Sequence, residues 1–216
     1  MAFIKNIALM GTSTALRLTC GLLTFVIIAR FLGPDQFGLL MLWLSVATLM
    51  SLLANFGFTP YLLREIGAHP ELANATMNAV MTAKLMLSAL ICGLAALSVV
   101  WLPVSTWALF AVLLAAQLAD SMTEFFNVGY RATNRFAAET RLASISSVLQ
   151  LALVTIACVL TPTPIMAAWA ILAARLITLA ITWQNQLGYF RNLSLVTPLQ
   201  GWIKIKQTHA FASDFV

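Results

Sequence analysis

From Gln36 to Leu63 the chain runs through 28 residues without one charged side chain. An α-helix crosses the hydrocarbon core of a bilayer in about 20 residues, each adding about 1.5 Å. An uncharged stretch of this length has few homes in a water-soluble fold. Composition agrees: of 216 residues, 61% are hydrophobic and 9% are charged, where soluble domains carry about 25% charged residues. The chain has the constitution of a membrane protein.

Proline, glycine and charge punctuate six apolar segments, at about 6–32, 36–58, 78–102, 106–128, 142–160 and 165–183. Their ends are marked by Gly33-Pro34, Thr59-Pro60, Pro103 and Thr161-Pro162-Thr163-Pro164. The runs lack the in-and-out alternation of barrel strands, so the predicted fold is an all-α, polytopic bundle of six transmembrane helices. Between the second and third spans, His69-Pro70-Glu71 places a proline and an acid where a helix start favours them, which predicts a short surface helix there. The N-terminal run mimics a secretion signal, but Arg17 interrupts its apolar core and no small-residue cleavage site follows. It is expected to remain as the first helix.

Lysine and arginine set the expected orientation. Lys5, Arg64, Arg131, Arg135, Arg141, Arg191, Lys204 and Lys206 fall on one side of the bundle, and the opposite turns hold Arg30 alone. The N-terminus is therefore expected in the cytoplasm. The net charge of +5 follows from that topology, and no basic stripe with interleaved aromatics suggests a nucleic-acid partner. Trp101 and Trp107 bracket the second outer turn, while Trp183, Tyr189 and Phe190 mark the inner end of the sixth span. With that span, residues 1–190 make one six-helix unit. Residues 191–207 mix Trp202, Ile203 and Ile205 with Lys204 and Lys206, as an interfacial linker would. Residues 208–216 look like the start of a seventh apolar segment.

Five ionisable residues lie inside the spans: Arg17, Lys84, Asp120, Glu124 and Arg175. Each costs about 2.5–3.5 kcal/mol near a helix centre on insertion scales, so all five are expected to face protein or water. Helical spacing gives each a polar stripe. Asn6, Ser13, Arg17, Cys20 and Thr24 share one face; Gln117, Asp120, Ser121, Glu124, Arg131 and Arg135 share another. Lys84 and Ser88 are one turn apart, and Arg175, Thr178, Thr182 and Gln186 line up on the sixth span.

Two readings follow. In the first the stripes are glue: Arg17 or Lys84 pairs with Asp120 or Glu124, and hydroxyls bond across helices. In the second they line a water-filled chamber whose three bases outweigh its two acids and attract an anionic cargo. Asp120 and Glu124, four residues apart, repel unless a shared proton, a bound cation or a basic neighbour separates them. The first two options make them a candidate ion-coupling pair, and the third makes them structural.

Cys20, Cys92 and Cys158 lie far apart in apolar runs and are expected to be buried free thiols, neither paired nor metal-bound. The two histidines are His69 and His209, so a Ser–His dyad or a histidine zinc site inside the bilayer has no candidates. Phosphate-loop and nucleophile-elbow motifs are absent from the sequence. No catalytic residue, cofactor or metal is expected.

A series of short motifs adds to this reading. Ile28-Ala29-Arg30-Phe31-Leu32-Gly33-Pro34-Asp35-Gln36-Phe37-Gly38 is followed by Ala54-Asn55-Phe56-Gly57-Phe58 and then by Leu62-Leu63-Arg64-Glu65-Ile66. In that order they resemble the polysaccharide-exporter family, the O-antigen flippase branch of the multidrug, oligosaccharidyl-lipid and polysaccharide exporters. The resemblance covers residues 6–70 well, with a weaker echo in Tyr130-Arg131 and Asn134-Arg135-Phe136.

The resemblance implies a multi-pass protein of the bacterial inner membrane, with two six-helix lobes around a cavity that alternates its opening. Its cargo would be an undecaprenyl-pyrophosphate-linked oligosaccharide, carried from the cytoplasmic to the periplasmic leaflet. Cavity cations would meet the pyrophosphate or acidic sugars, and Arg17, Lys84 and Arg175 are the residues suited to that part. Of these only Arg17 lies within the well-matched region. Arg30, Gly33, Pro34, Asp35 and Gly38 make up the outer-turn motif. On this resemblance the chain looks like the N-terminal lobe: a fragment, a truncated product, or a half that pairs with itself or with a second polypeptide supplying the C-terminal lobe. Two rivals stand beside it: a cation-coupled exporter of small molecules centred on Asp120 and Glu124, and a non-transporting scaffold that binds other membrane subunits.

Overall fold

The computed structural model describes residues 2–55, 57–69, 73–100, 103–132 and 136–187, with side-chain surroundings described for 11–55, 57–69, 73–100, 103–131 and 137–185. Every regular element among them is helical: α1 (Ala2–Asn55), α2 (Phe58–Ala68), α3 (Ala73–Leu97) with a 3₁₀ turn at Ser98–Val100, α4 (Val104–Ala132), α5 (Phe136–Leu160) and α6 (Pro164–Leu187). Among the described residues, five helical stretches are long and apolar enough to cross a membrane. The first of them, Gly11–Ala68, takes in the second expected segment whole and most of the first.

The reason lies at Gly33. Its backbone is at φ 75 and ψ 172, outside helical space, within an otherwise continuous run of 54 residues. Only glycine enters that region without strain. Pro34 follows, where a second helical arm begins and its missing N–H is no loss. The predicted break is present, as a single-residue interruption. Both arms contribute to one apolar core, Ile28 and Leu32 from the first and Leu40, Ala47 and Ala54 from the second. The last three recur every seven residues and are fully buried, a spacing that returns to the same helix face.

Small side chains bring the other helices close. Ala116 and Ala119 on α4 and Ala167, Ala168 and Ala174 on α6 are buried, and α4–α6 is the most extensive helix pairing. Between membrane helices, close packing of small residues replaces the hydrophobic drive that water would supply. The outward faces are apolar: Leu18, Leu22 and Val26 are 61–66% exposed one turn apart on α1. Lipid is the solvent such a stripe suits.

Several expectations need correcting. The connecting helix is α2, which precedes His69-Pro70, starts after left-handed Gly57 (φ 74), and buries Leu62 and Ile66. It therefore packs into the bundle and is not a purely surface helix, because the apolar side chains of Leu62 and Ile66 fall one turn apart. Pro70 and Glu71 lie outside the described residues, as do Trp101, Tyr189, Phe190, the 191–207 segment and 208–216. The helices outrun the apolar runs: α3 begins at Ala73, α4 ends at Ala132 and α5 begins at Phe136. Hydropathy marks only the lipid-immersed part of a helix, whereas backbone hydrogen bonding continues into the polar interface. Cys20 and Cys158 are buried free thiols, but Cys92 is exposed on the outer face of α3. Near that helix's end, Trp107 Nε1 donates to the carbonyl of Ala95 at 3.2 Å, tying the start of α4 to α3.

Candidate substrate cavity

Four helices enclose a polar cavity of about 380 Å³. Its charged lining is Arg17 from α1, Asp120 and Glu124 from α4 and Arg175 from α6. Helical spacing predicts that these side chains turn inward, and the structure brings the four together. The fifth is elsewhere. Lys84, 1% exposed, does not line the cavity; its Nζ donates to Oδ1 of Asn55 and lies 6.0 Å from the Phe125 ring centroid. The Asn55 amide in turn donates to Glu124 Oε2 at 3.4 Å. Lys84 thus sits behind the cavity wall, joined to it through the last residue of α1.

The charge count changes accordingly. Two bases face two acids inside the cavity, in place of the expected three against two. Arg175 is already engaged, with Nη1 2.7 Å from Asp120 Oδ1. Arg17 is exposed and has no ion pair or hydrogen bond among the described residues. A guanidinium is always ionised and presents a rigid fork of donors. Of the two cavity guanidiniums, that of Arg17 is the one whose donors are unengaged among the described residues.

The glue reading holds for few of the hydroxyls. Thr24, Thr178 and Thr182 donate to the carbonyls of Cys20, Ala174 and Thr178, one turn back on their own helices. This back-bonding satisfies a hydroxyl in an apolar setting without a partner helix. Cross-helix bonds among these side chains are Thr178 Oγ1 to Ser146 Oγ at 3.2 Å and Gln117 Nε2 to Thr48 Oγ1 at 2.9 Å. The long α4 stripe also splits. Ser121 is buried away from the cavity lining, and Arg131 pairs with Glu139 of α5 at 2.7 Å. Arg135 and the side chains of Asn6 and Gln186 lie outside the described residues.

Sequence reasoning missed the α5 wall. Ser146, Ser147 and Gln150 line the cavity at offsets of one, three and four residues, a polar helix face visible in the sequence once uncharged side chains are counted. Asn127 also lines it, with Oδ1 buried and unbonded. The outer-turn residues Arg30, Pro34, Asp35 and Gly38 are exposed, Gly33 is half-buried, and none of them lines the cavity.

A bundle of long apolar helices around a charged, hydroxyl-rich cavity defines a multi-pass membrane protein with a polar site at its centre. A family profile described as "Polysaccharide biosynthesis protein" matches residues 3–207, and the chain belongs to that family. Comparison with curated proteins and with solved structures gives no match.

Proposed function

We propose that this chain translocates lipid-linked oligosaccharide units across the bacterial inner membrane, as an N-terminal lobe of a flippase. The unpaired guanidinium of Arg17 in a polar cavity of about 380 Å³ carries this reading. The volume accommodates a phosphate-sized head with water, and membership of a polysaccharide biosynthesis family supports a sugar-bearing cargo. An undecaprenyl-pyrophosphate head would meet Arg17 first, while its apolar tail stays in the bilayer.

On this reading α1 crosses the membrane twice. A helix of 54 residues would be about 80 Å long, more than twice the hydrocarbon thickness, and Gly33 divides it into arms of span length. Six crossings with the N-terminus in the cytoplasm then follow the Lys and Arg distribution. No covalent chemistry is involved; rocking of this bundle against a partner lobe or second copy would alternate access, driven by an ion gradient. The test is Arg17→Ala in the complete protein. Export of the sugar polymer should be lost while the protein remains inserted and abundant; normal export would refute the assignment.

One observation favours a second reading, the small-molecule exporter. Glu124 is exposed and its bond from Asn55 is long at 3.4 Å, leaving the carboxylate available to a proton or cation. Loss of dye efflux with normal surface polysaccharide in Glu124→Gln would favour it.

A further inference from the structure

Arg175 and Asp120 sit on neighbouring helices, with Nη1 and Oδ1 2.7 Å apart and side chains 25% and 33% exposed. Both line the cavity that Arg17 faces. A carboxylate presents two oxygens to a guanidinium much as a phosphate does. Glu124, the other cavity acid, receives its bond from Asn55, so Asp120 is the carboxylate in contact with Arg175 among the described residues. The α5 groups that line the same cavity, Ser146, Ser147 and Gln150, are neutral.

We propose that Asp120 is an internal stand-in for the anionic head of the cargo. It holds Arg175 in the empty cavity, yields it to an entering phosphate group, and takes it back as that group leaves. This rests on the flippase reading above. The physical need is twofold. A guanidinium as enclosed as that of Arg175, 25% exposed, is costly to leave without a counter-charge, whereas the exposed Arg17 is met by solvent, and a carrier must bind firmly enough to load yet weakly enough to unload. A competing carboxylate meets both needs: it keeps Arg175 compensated between cycles and opposes the loaded state.

The probe is inorganic pyrophosphate, titrated calorimetrically into the purified full chain in detergent. Asp120→Asn, nearly isosteric, should bind it about threefold to fivefold more tightly than the wild type, the range an ion pair of about 1 kcal/mol represents. Glu124→Gln removes the same charge from the same cavity and should tighten binding less. In an Arg175→Ala background, or Arg175→Met if the alanine variant is unstable, the gain from Asp120→Asn should vanish. A gain that persists there is a field effect and overturns the proposal, as does an Asp120→Asn variant that binds no more tightly than the wild type. Failure of the flippase reading has a different signature, wild type and Arg17→Ala binding pyrophosphate equally or not at all, and this overturns both.

Discussion

Lys84 donates a hydrogen bond to the side-chain carbonyl of Asn55 and is 1% exposed, so a buried amine in this bundle is held by an amide at the end of α1. The amide passes the interaction on to Glu124. This arrangement straps α3, the end of α1 and α4 together behind the cavity. Lys84→Met should therefore leave pyrophosphate binding within about twofold of wild type while lowering stability by about 1–3 kcal/mol, the cost of stranding the Asn55 carbonyl. Thermal unfolding in detergent beside the calorimetric titration separates the two effects. A Lys84→Met variant that folds as the wild type but no longer binds would return Lys84 to the cavity.

Gly33 and Gly38 belong to one sequence motif but carry different backbones. Gly33 has φ 75, and a Cβ there would meet no atom within 4 Å, so its requirement is conformational and not steric. Gly33→Ala should cost about 1–3 kcal/mol. Gly38 has helical surroundings and equally open space. Gly38→Ala should be neutral or stabilising by up to about 1 kcal/mol. Chemical denaturation of both variants tests the pair; equal losses would mean that the turn is not the reason for Gly33.

The bond from Trp107 Nε1 to the Ala95 carbonyl, 3.2 Å long, locks the α3–α4 end. Trp107→Phe keeps a six-membered aromatic ring but removes the donor together with the pyrrole ring, and should lower stability by at least about 0.5–1.5 kcal/mol. Because the site is remote from Arg17, pyrophosphate affinity should not change.

Two hollows among the described residues differ in character, one polar and one apolar, and thiol labelling distinguishes them. Gln150 lines the polar cavity, whereas Leu85 lines an apolar groove of about 390 Å³ between α3, α4 and α6. With Cys20, Cys92 and Cys158 replaced by alanine, Gln150→Cys should react with a charged methanethiosulfonate in membranes and be protected by pyrophosphate. Leu85→Cys should react only with a lipid-soluble maleimide. Reaction of both with the charged reagent would place water where the fold places lipid.

The helical class, the break at Gly33-Pro34 and the inward turn of Arg17, Asp120, Glu124 and Arg175 were legible in the sequence, because each follows from local rules. Apolar run length selects a membrane helix, glycine before proline interrupts it, and charge in such a helix must avoid lipid whatever its neighbours are. Tertiary structure alone decided which charges meet. Asp120 and Arg175 are 55 residues apart and Lys84 and Asn55 are 29 apart, distances over which periodicity says nothing, since it orders residues around one helix axis and not the rotation of one helix against another. Packing of small residues joins α4 to α6 and so gives Arg175 a carboxylate. The placing of α1 and α3 leaves Arg17 open and seals Lys84 behind the wall against Asn55.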